Sequence, residues 1–186
     1  MQKIFNLTSI FKSVEEADDG SVNIKGYAST NDTDRAWDVI DKEAWEKGGL
    51  DNYTNNPVVL FNHDYNRPIG RATGLETDDR GLRITANISK SAGDVTNLVK
   101  EGILRALSVG FRVKDADYIE ETDGLKISDA ELFEVSVVSV PANQAATFSV
   151  AKSFDTQSEY DEWKKQFVKK TEATKPQETD DSLSSR

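Results

Sequence analysis

Three polar residues lie where strand-forming segments would hold them still. His63 is the only histidine of the 186-residue chain, and it closely follows the apolar run Val58-Val59-Leu60-Phe61. A strand end fixes the backbone while the imidazole leans into a cleft, and imidazole is the side chain best suited to moving protons near neutral pH. Ser108 lies in Ala106-Leu107-Ser108-Val109-Gly110-Phe111. A period of two puts Leu107, Val109 and Phe111 on one face and Ser108 with Gly110 on the other. The missing side chain at Gly110 leaves room beside the hydroxyl. A serine nucleophile needs that room, and it needs a neighbouring base, because a hydroxyl is weak on its own.

Glu134 sits among strand formers in Leu132-Phe133-Glu134-Val135-Ser136-Val137-Val138. A carboxylate turned inward there needs a partner. Partnering an imidazole would fix its tautomer and stabilise the imidazolium, the third role of a catalytic triad. Glu131 competes for that role, whereas Ser136 and Ser139 are expected to matter far less than Ser108. After the strand, Pro141-Ala142-Asn143 reads as a tight turn whose N–H groups, or the Asn143 amide, could face a developing oxyanion. Taken singly, the features are better suited to plainer roles: a turn histidine beside Asp64, a serine on a solvated strand face, an ordinary turn and, commonly enough, an outward glutamate.

Other chemistries fit less well. His63-Asp64 has the look of a metal-dependent phosphohydrolase fragment, but those sites need further histidines. Asp32, Asp34 and Asp38 could bind a hard cation, yet no segment has calcium-loop spacing. The chain has no cysteine, which removes disulfides, thiolate nucleophiles and cysteine-based zinc sites. There is no glycine-rich phosphate loop, and no cofactor or metal is expected. The formal net charge of −10 repels phosphate backbones, so no nucleic-acid partner is expected. No apolar run reaches the ~20 residues a bilayer requires, and the opening residues lack the apolar stretch of a secretion signal. A soluble, unexported protein is expected.

The elements that must position these residues are mostly short strands. Residues 20–30 alternate apolar and polar positions through Val22, Ile24 and Tyr27, and 31–34 read as a turn. Asp41 precedes a short helix over 42–47 that Gly48-Gly49 stops. Val58–Phe61 reads as a buried strand, and 69–75 with 82–88 as a hairpin. Ser91 is expected to cap a helix, with Asp94 completing the box, Val95, Leu98 and Val99 on its apolar face, and Gly102 ending it. Residues 103–113 end in a strand, 115–126 form an acidic hairpin or loop, and 133–140 form a strand that Pro141 stops. Composition changes near residue 150. A charged helix follows over 158–169, with Tyr160, Trp163 and Phe167 on one side, and 171–186 have little to bury and are expected to be disordered. The expected organisation is a domain over 1–150 and an appendage over 151–186. The expected fold is mainly β with a few helices: a mostly antiparallel β-barrel flanked by helices.

As an ordered series these segments resemble the prohead proteases of tailed phages, a family related in fold to the herpesvirus capsid-assembly proteases. The series runs from Gly26-Tyr27-Ala28 and Trp37-Asp38-Val39-Ile40, through Pro57 to Asp64, Pro68-Ile69-Gly70-Arg71 and Gly81-Leu82. It continues through Gly102 to Phe111 and closes with Glu134 to Val138 and Pro141-Ala142-Asn143. The resemblance implies a herpesvirus-protease-like barrel and a serine endopeptidase with Ser108 as nucleophile and His63 as base. Glu134 matches the place of a second histidine in the herpesvirus enzymes, so the third member here would be acidic. Those enzymes use arginine near the oxyanion; here the turn bears Asn143, and Arg105 is the substitute. The implied substrates are the major capsid protein, through its scaffold-like segment, the scaffold, and the protease itself. The implied setting is the procapsid in the host cytoplasm, with a weak homodimer. Two other classes stay open on the sequence: a catalytically silent capsid or scaffold component with this fold, and a metal-dependent hydrolase using His63 with carboxylates.

Overall fold

The computed structural model describes residues 3–34, 36–139 and 150–176. The strands are β1 (Phe5–Ile10), β2 (Ser13–Glu16), β3 (Val22–Thr30), β4 (Val39–Ile40), β5 (Val58–Phe61), β6 (Asp64–Asp78), β7 (Gly81–Ile88), β8 (Ala106–Ile119) and β9 (Gly124–Val138). The α-helices are α1 (Asp51–Asn55), α2 (Asp94–Lys100) and α3 (Gln157–Thr174). One sheet runs in the order β1-β8-β9-β5-β6-β7-β3-β2, with β4 also on β9. Most ladders are antiparallel, and β4 and β5 join β9 in parallel. The sheet curls into a half-barrel: the Ser9 hydroxyl donates to the Tyr27 carbonyl at 2.6 Å and the Lys12 N–H to the Lys25 carbonyl at 2.8 Å, drawing the β1 end onto β3. The mainly β, mostly antiparallel architecture expected from the alternating segments is the one observed.

Alternation on β8 is what divides site from core. Leu107, Val109 and Phe111 are buried with Val135 and Val137 of β9 and with Phe5 and Leu7 of β1. Trp45 packs edge-on against Phe111, with centroids 5.6 Å apart. Phe5 lies 5.5 Å from Phe111 and 5.3 Å from Trp163 of α3, which in turn meets Phe167 at 5.0 Å. The strand that carries Ser108 is therefore braced from its core side by aromatic rings.

Several local expectations shift. The helix expected over 42–47 is a single 3-10 turn, Lys42–Trp45, to which the Asp41 side chain contributes no cap. Ser91 does not cap α2. It lies inside a 3-10 turn, Lys90–Ala92, capped by Ser89, and Gly93 at φ 54° is the residue before α2. Two serines spaced by two compete for the same turn, and only glycine takes the left-handed backbone that joins turn to helix without strain. The acidic stretch 115–126 is paired in the β8–β9 hairpin as far as Ile119 opposite Gly124. Residues 171–174, expected to be disordered, are the last turn of α3, and Thr171 Oγ1 accepts from the Tyr118 N–H at 3.3 Å. The helix begins at a full capping box between Thr156 and Glu159. Tyr160 and Phe167 lie in the same core cluster as Phe5 and Phe111, so packing runs across the boundary expected near residue 150.

Candidate active site

Three adjacent strands deliver the site. In the β8–β9 ladder Ser108 stands opposite Ser136 and Gly110 opposite Glu134, and in the β5–β9 ladder Leu60 stands beside Ser136. Directly opposed residues share a face of the sheet. Ser108, Gly110, Glu134 and Ser136 thus share the face opposite to Leu107, Val109 and Phe111. On the far side of β8, Thr8 of β1 pairs with Ser108, and its hydroxyl approaches Ser108 Oγ at 3.4 Å. Ser108 is 2% exposed and Glu134 7%.

His63 arrives by a tight turn. Phe61 pairs with Asp64, so Asn62 and His63 are the two central residues of the β5–β6 hairpin. Their φ angles, 50° and 60°, have the signs of a type I′ turn. Asparagine suits the first position; the second is ordinarily glycine. A bulky residue held left-handed costs roughly 1–2 kcal/mol. Hydrogen bonds from both flanks hold it: the Asn62 N–H donates to the Val137 carbonyl at 2.9 Å, the Ser139 N–H donates to Asn62 Oδ1 at 2.9 Å, and the His63 N–H donates to Ser136 Oγ at 3.1 Å.

The His63 ring is hydrogen-bonded through Nδ1 to Glu134 Oε1. A carboxylate can only accept, so Nδ1 carries the proton, and in the neutral imidazole Nε2 then keeps its lone pair. That is the tautomer a general base requires. The second carboxylate oxygen, Oε2, accepts from the Ser136 hydroxyl at 2.8 Å. Glu134 is thus oriented by two donors, and His63 by its side chain and its backbone. Among the described residues no hydrogen bond joins Ser108 Oγ to the His63 ring; Ser136 of β9 bonds the His63 N–H and stands opposite Ser108 in the ladder.

The structure places the remaining sequence candidates as follows. Glu131 stands opposite Arg112, and no described hydrogen bond links it to His63. Arg105 is exposed just before β8, and its carbonyl accepts from the Phe11 N–H at 2.8 Å. Asn143, with the rest of the Pro141-Ala142-Asn143 turn, lies outside the described residues. Ser136, expected to matter little, is fully buried at 0% exposure and touches both Glu134 and His63. The signal was present in the sequence: Ser136 and Glu134 share one face of a strand by the same period-two rule that paired Ser108 with Gly110. Thr8 gave no such signal, because its strand meets Ser108 a hundred residues away.

Away from the site, Asp38 is fully buried and accepts from the Leu125 N–H at 2.7 Å and the Tyr160 hydroxyl at 2.6 Å. Burial, helped by nearby Asp34, raises its carboxyl to about 6, with the two donors opposing the rise. This aspartate, weighed above as a cation ligand, ties α3 to the start of β9.

Comparison with known proteins finds the chain similar to phage capsid proteases. A family described as Caudovirus prohead serine protease matches residues 9–173. The chain is 45% identical over 166 residues to the prohead protease of Escherichia phage T5, covering 88% of this chain and 79% of that protein. It is 33% identical over 144 residues to the prohead protease of Enterobacteria phage HK97, covering 74% of this chain and 64% of the other. A capsid polyprotein of Pseudomonas phage PAJU2 is 29% identical over 152 residues, which make up 76% of this chain and 22% of that one. In fold, the chain is similar to the capsid assembly protease of bacteriophage T4, with a TM-score of 0.60 at 10% identity, covering 75% of this chain and 98% of the other.

Proposed function

The chain belongs to the caudovirus prohead serine protease family, and on that premise we propose that Ser108, His63 and Glu134 are its catalytic triad. The observation that carries this reading is the Nδ1 hydrogen bond from His63 to Glu134, made on the face of β9 that adjoins Ser108. His63 Nε2 takes the Ser108 hydroxyl proton as Oγ attacks the scissile carbonyl carbon. The imidazolium then gives that proton to the leaving amine, and an acyl-enzyme forms on Ser108. Water, deprotonated by His63, attacks the acyl carbon and restores the serine. Glu134 holds the ring in register and stabilises the imidazolium throughout. The Ser108–His63 hydrogen bond belongs to the substrate complex, where such contacts tighten. Asn143 and Arg105 are the candidate oxyanion donors.

The substrates in this reading are capsid-assembly proteins: the major capsid protein through its scaffold-like segment, the scaffold, and the protease itself. A homologous segment within a capsid polyprotein supports it, since protease and capsid sequence then share one chain. The protein acts in the procapsid within the host cytoplasm, where confinement raises local concentration and fills weak contacts by mass action, including those of a weak homodimer. The proposed catalytic residues all fall within 1–150, with the 151–186 appendage supplying α3 as a brace. The test is co-expression with the neighbouring capsid and scaffold proteins, wild type against Ser108→Ala, followed by intact-mass measurement. Capsid precursors that shorten only with the wild type support the reading; precursors that stay full length with both, while the wild type cuts another protein, remove the substrate assignment.

A further inference from the structure

The hydroxyl of Ser136 is placed unlike an ordinary buried strand serine. Its one proton goes to Glu134 Oε2 at 2.8 Å, and its lone pair receives the His63 N–H at 3.1 Å. Donor and acceptor capacity are both used on the site itself. Two links tie His63 to β9. One runs from its backbone to Ser136, and the other from its ring through Glu134 to the same hydroxyl. The two links close a ring of hydrogen bonds. Ser136 also stands opposite Ser108 in the β8–β9 ladder. One fully buried side chain thus fixes the carboxylate, anchors the left-handed histidine, and sits beside the nucleophile's strand position.

We propose that Ser136 is a positioning residue that sets the orientation of the His63–Glu134 pair against Ser108. The proposal rests on the triad reading above. Without the hydroxyl, Glu134 keeps a single donor and can rotate about its terminal torsion. The His63 N–H loses its acceptor inside a turn that is already strained. The imidazole then samples positions off the line to Ser108, and misplacement on the order of 1 Å costs up to about 10²-fold in rate.

The experiment uses the full-length protein and a fluorophosphonate probe. The rate of covalent labelling is read by intact mass, beside thermal melting and the ¹⁵N resonances of the sole imidazole. In the wild type those resonances should report one neutral tautomer, protonated at Nδ1. Ser136→Ala should label about 10- to 100-fold more slowly, melt cooperatively, and show an imidazole averaged between tautomers. Should Ser136→Ala fail to melt cooperatively, Ser136→Cys, which has the same connectivity with a slightly larger atom and only a weak donor, is read against the same expectations. Labelling within twofold of wild type with an unchanged tautomer would overturn the proposal. Ser108→Ala and His63→Ala separate the two levels. If both lose labelling while Ser136→Ala behaves as wild type, only the role of Ser136 fails. If Ser108→Ala still labels at the wild-type rate, the triad reading itself fails.

Discussion

Gly110 and Glu134 face one another across the β8–β9 ladder so closely that a Cβ on Gly110 would stand 3.1 Å from Glu134 Oε1 and 3.2 Å from its Cγ. The room left by the glycine is taken by the carboxylate that holds His63. All the atoms met belong to side chains, Glu134 and Ile4, and need give by only a few tenths of an ångström, so Gly110→Ala should fold. The displaced carboxylate should then leave the imidazole less well held. We expect cleavage to fall by about 10-fold or more with the melting temperature within a few degrees of wild type. Kinetics on capsid precursor, paired with calorimetry, checks this.

Glu134→Gln keeps the shape of the side chain but replaces an acceptor-only group with one that can also donate to Nδ1. The wrong imidazole tautomer then becomes available, an effect that in the serine-protease triad costs up to about 10⁴-fold. Glu131→Gln should leave the rate within a few-fold of wild type. If Glu131→Gln proves the damaging change, the acid is assigned to the wrong residue.

His63 occupies a turn position where glycine is the unstrained residue. His63→Ala and His63→Gly should both be inactive, yet they should differ in stability. Alanine keeps the left-handed penalty of about 1 kcal/mol that glycine escapes. The glycine variant should therefore melt about 2–4 °C above the alanine variant. Equal melting temperatures would mean that the turn relaxes once the ring is gone.

Much of this site was legible in the sequence because its chemistry lies on strands with clean alternation. Leu107, Val109 and Phe111 announce the core face of β8, and Ser108 follows on the other by geometry alone. What could not be read was the closing of contacts across long separations. Thr8 reaches Ser108 from a strand whose ladder partner is a hundred residues distant, and Ser136 gains its place from a turn 73 residues earlier. The α2 start was misplaced because Ser89 and Ser91 are both credible caps until the left-handed Gly93 decides between them. Of the brace by α3, the aromatic side, Tyr160, Trp163 and Phe167, was legible, but not the surface that covers it: Trp163 meets Phe5 of β1, near the opposite end of the chain, with Val150 and Phe154 completing the packing.

That brace carries a pH dependence. The Asp38 carboxyl is raised to about 6 in the folded protein, against a reference value of 3.8. The folded state therefore holds the proton more tightly than the unfolded chain. This contribution to stability is full below about pH 4 and is lost as pH rises through about 6. Asp38→Asn cannot ionise and should lack it. Relative to that variant, wild type should lose on the order of 2–3 kcal/mol between pH 4 and 7. Denaturant unfolding of both proteins across that range reads the difference; parallel stability curves would show that Asp38 titrates alike in both states.

The central claim is that Ser108 is the nucleophile, and single-turnover cleavage of purified capsid precursor by Ser108→Ala tests it most directly. The account predicts a variant that melts like wild type and cleaves at least about 10⁴-fold more slowly, since removing the nucleophile disables the triad as a unit. A folded Ser108→Ala protein that cleaves within a few-fold of the wild-type rate would contradict it.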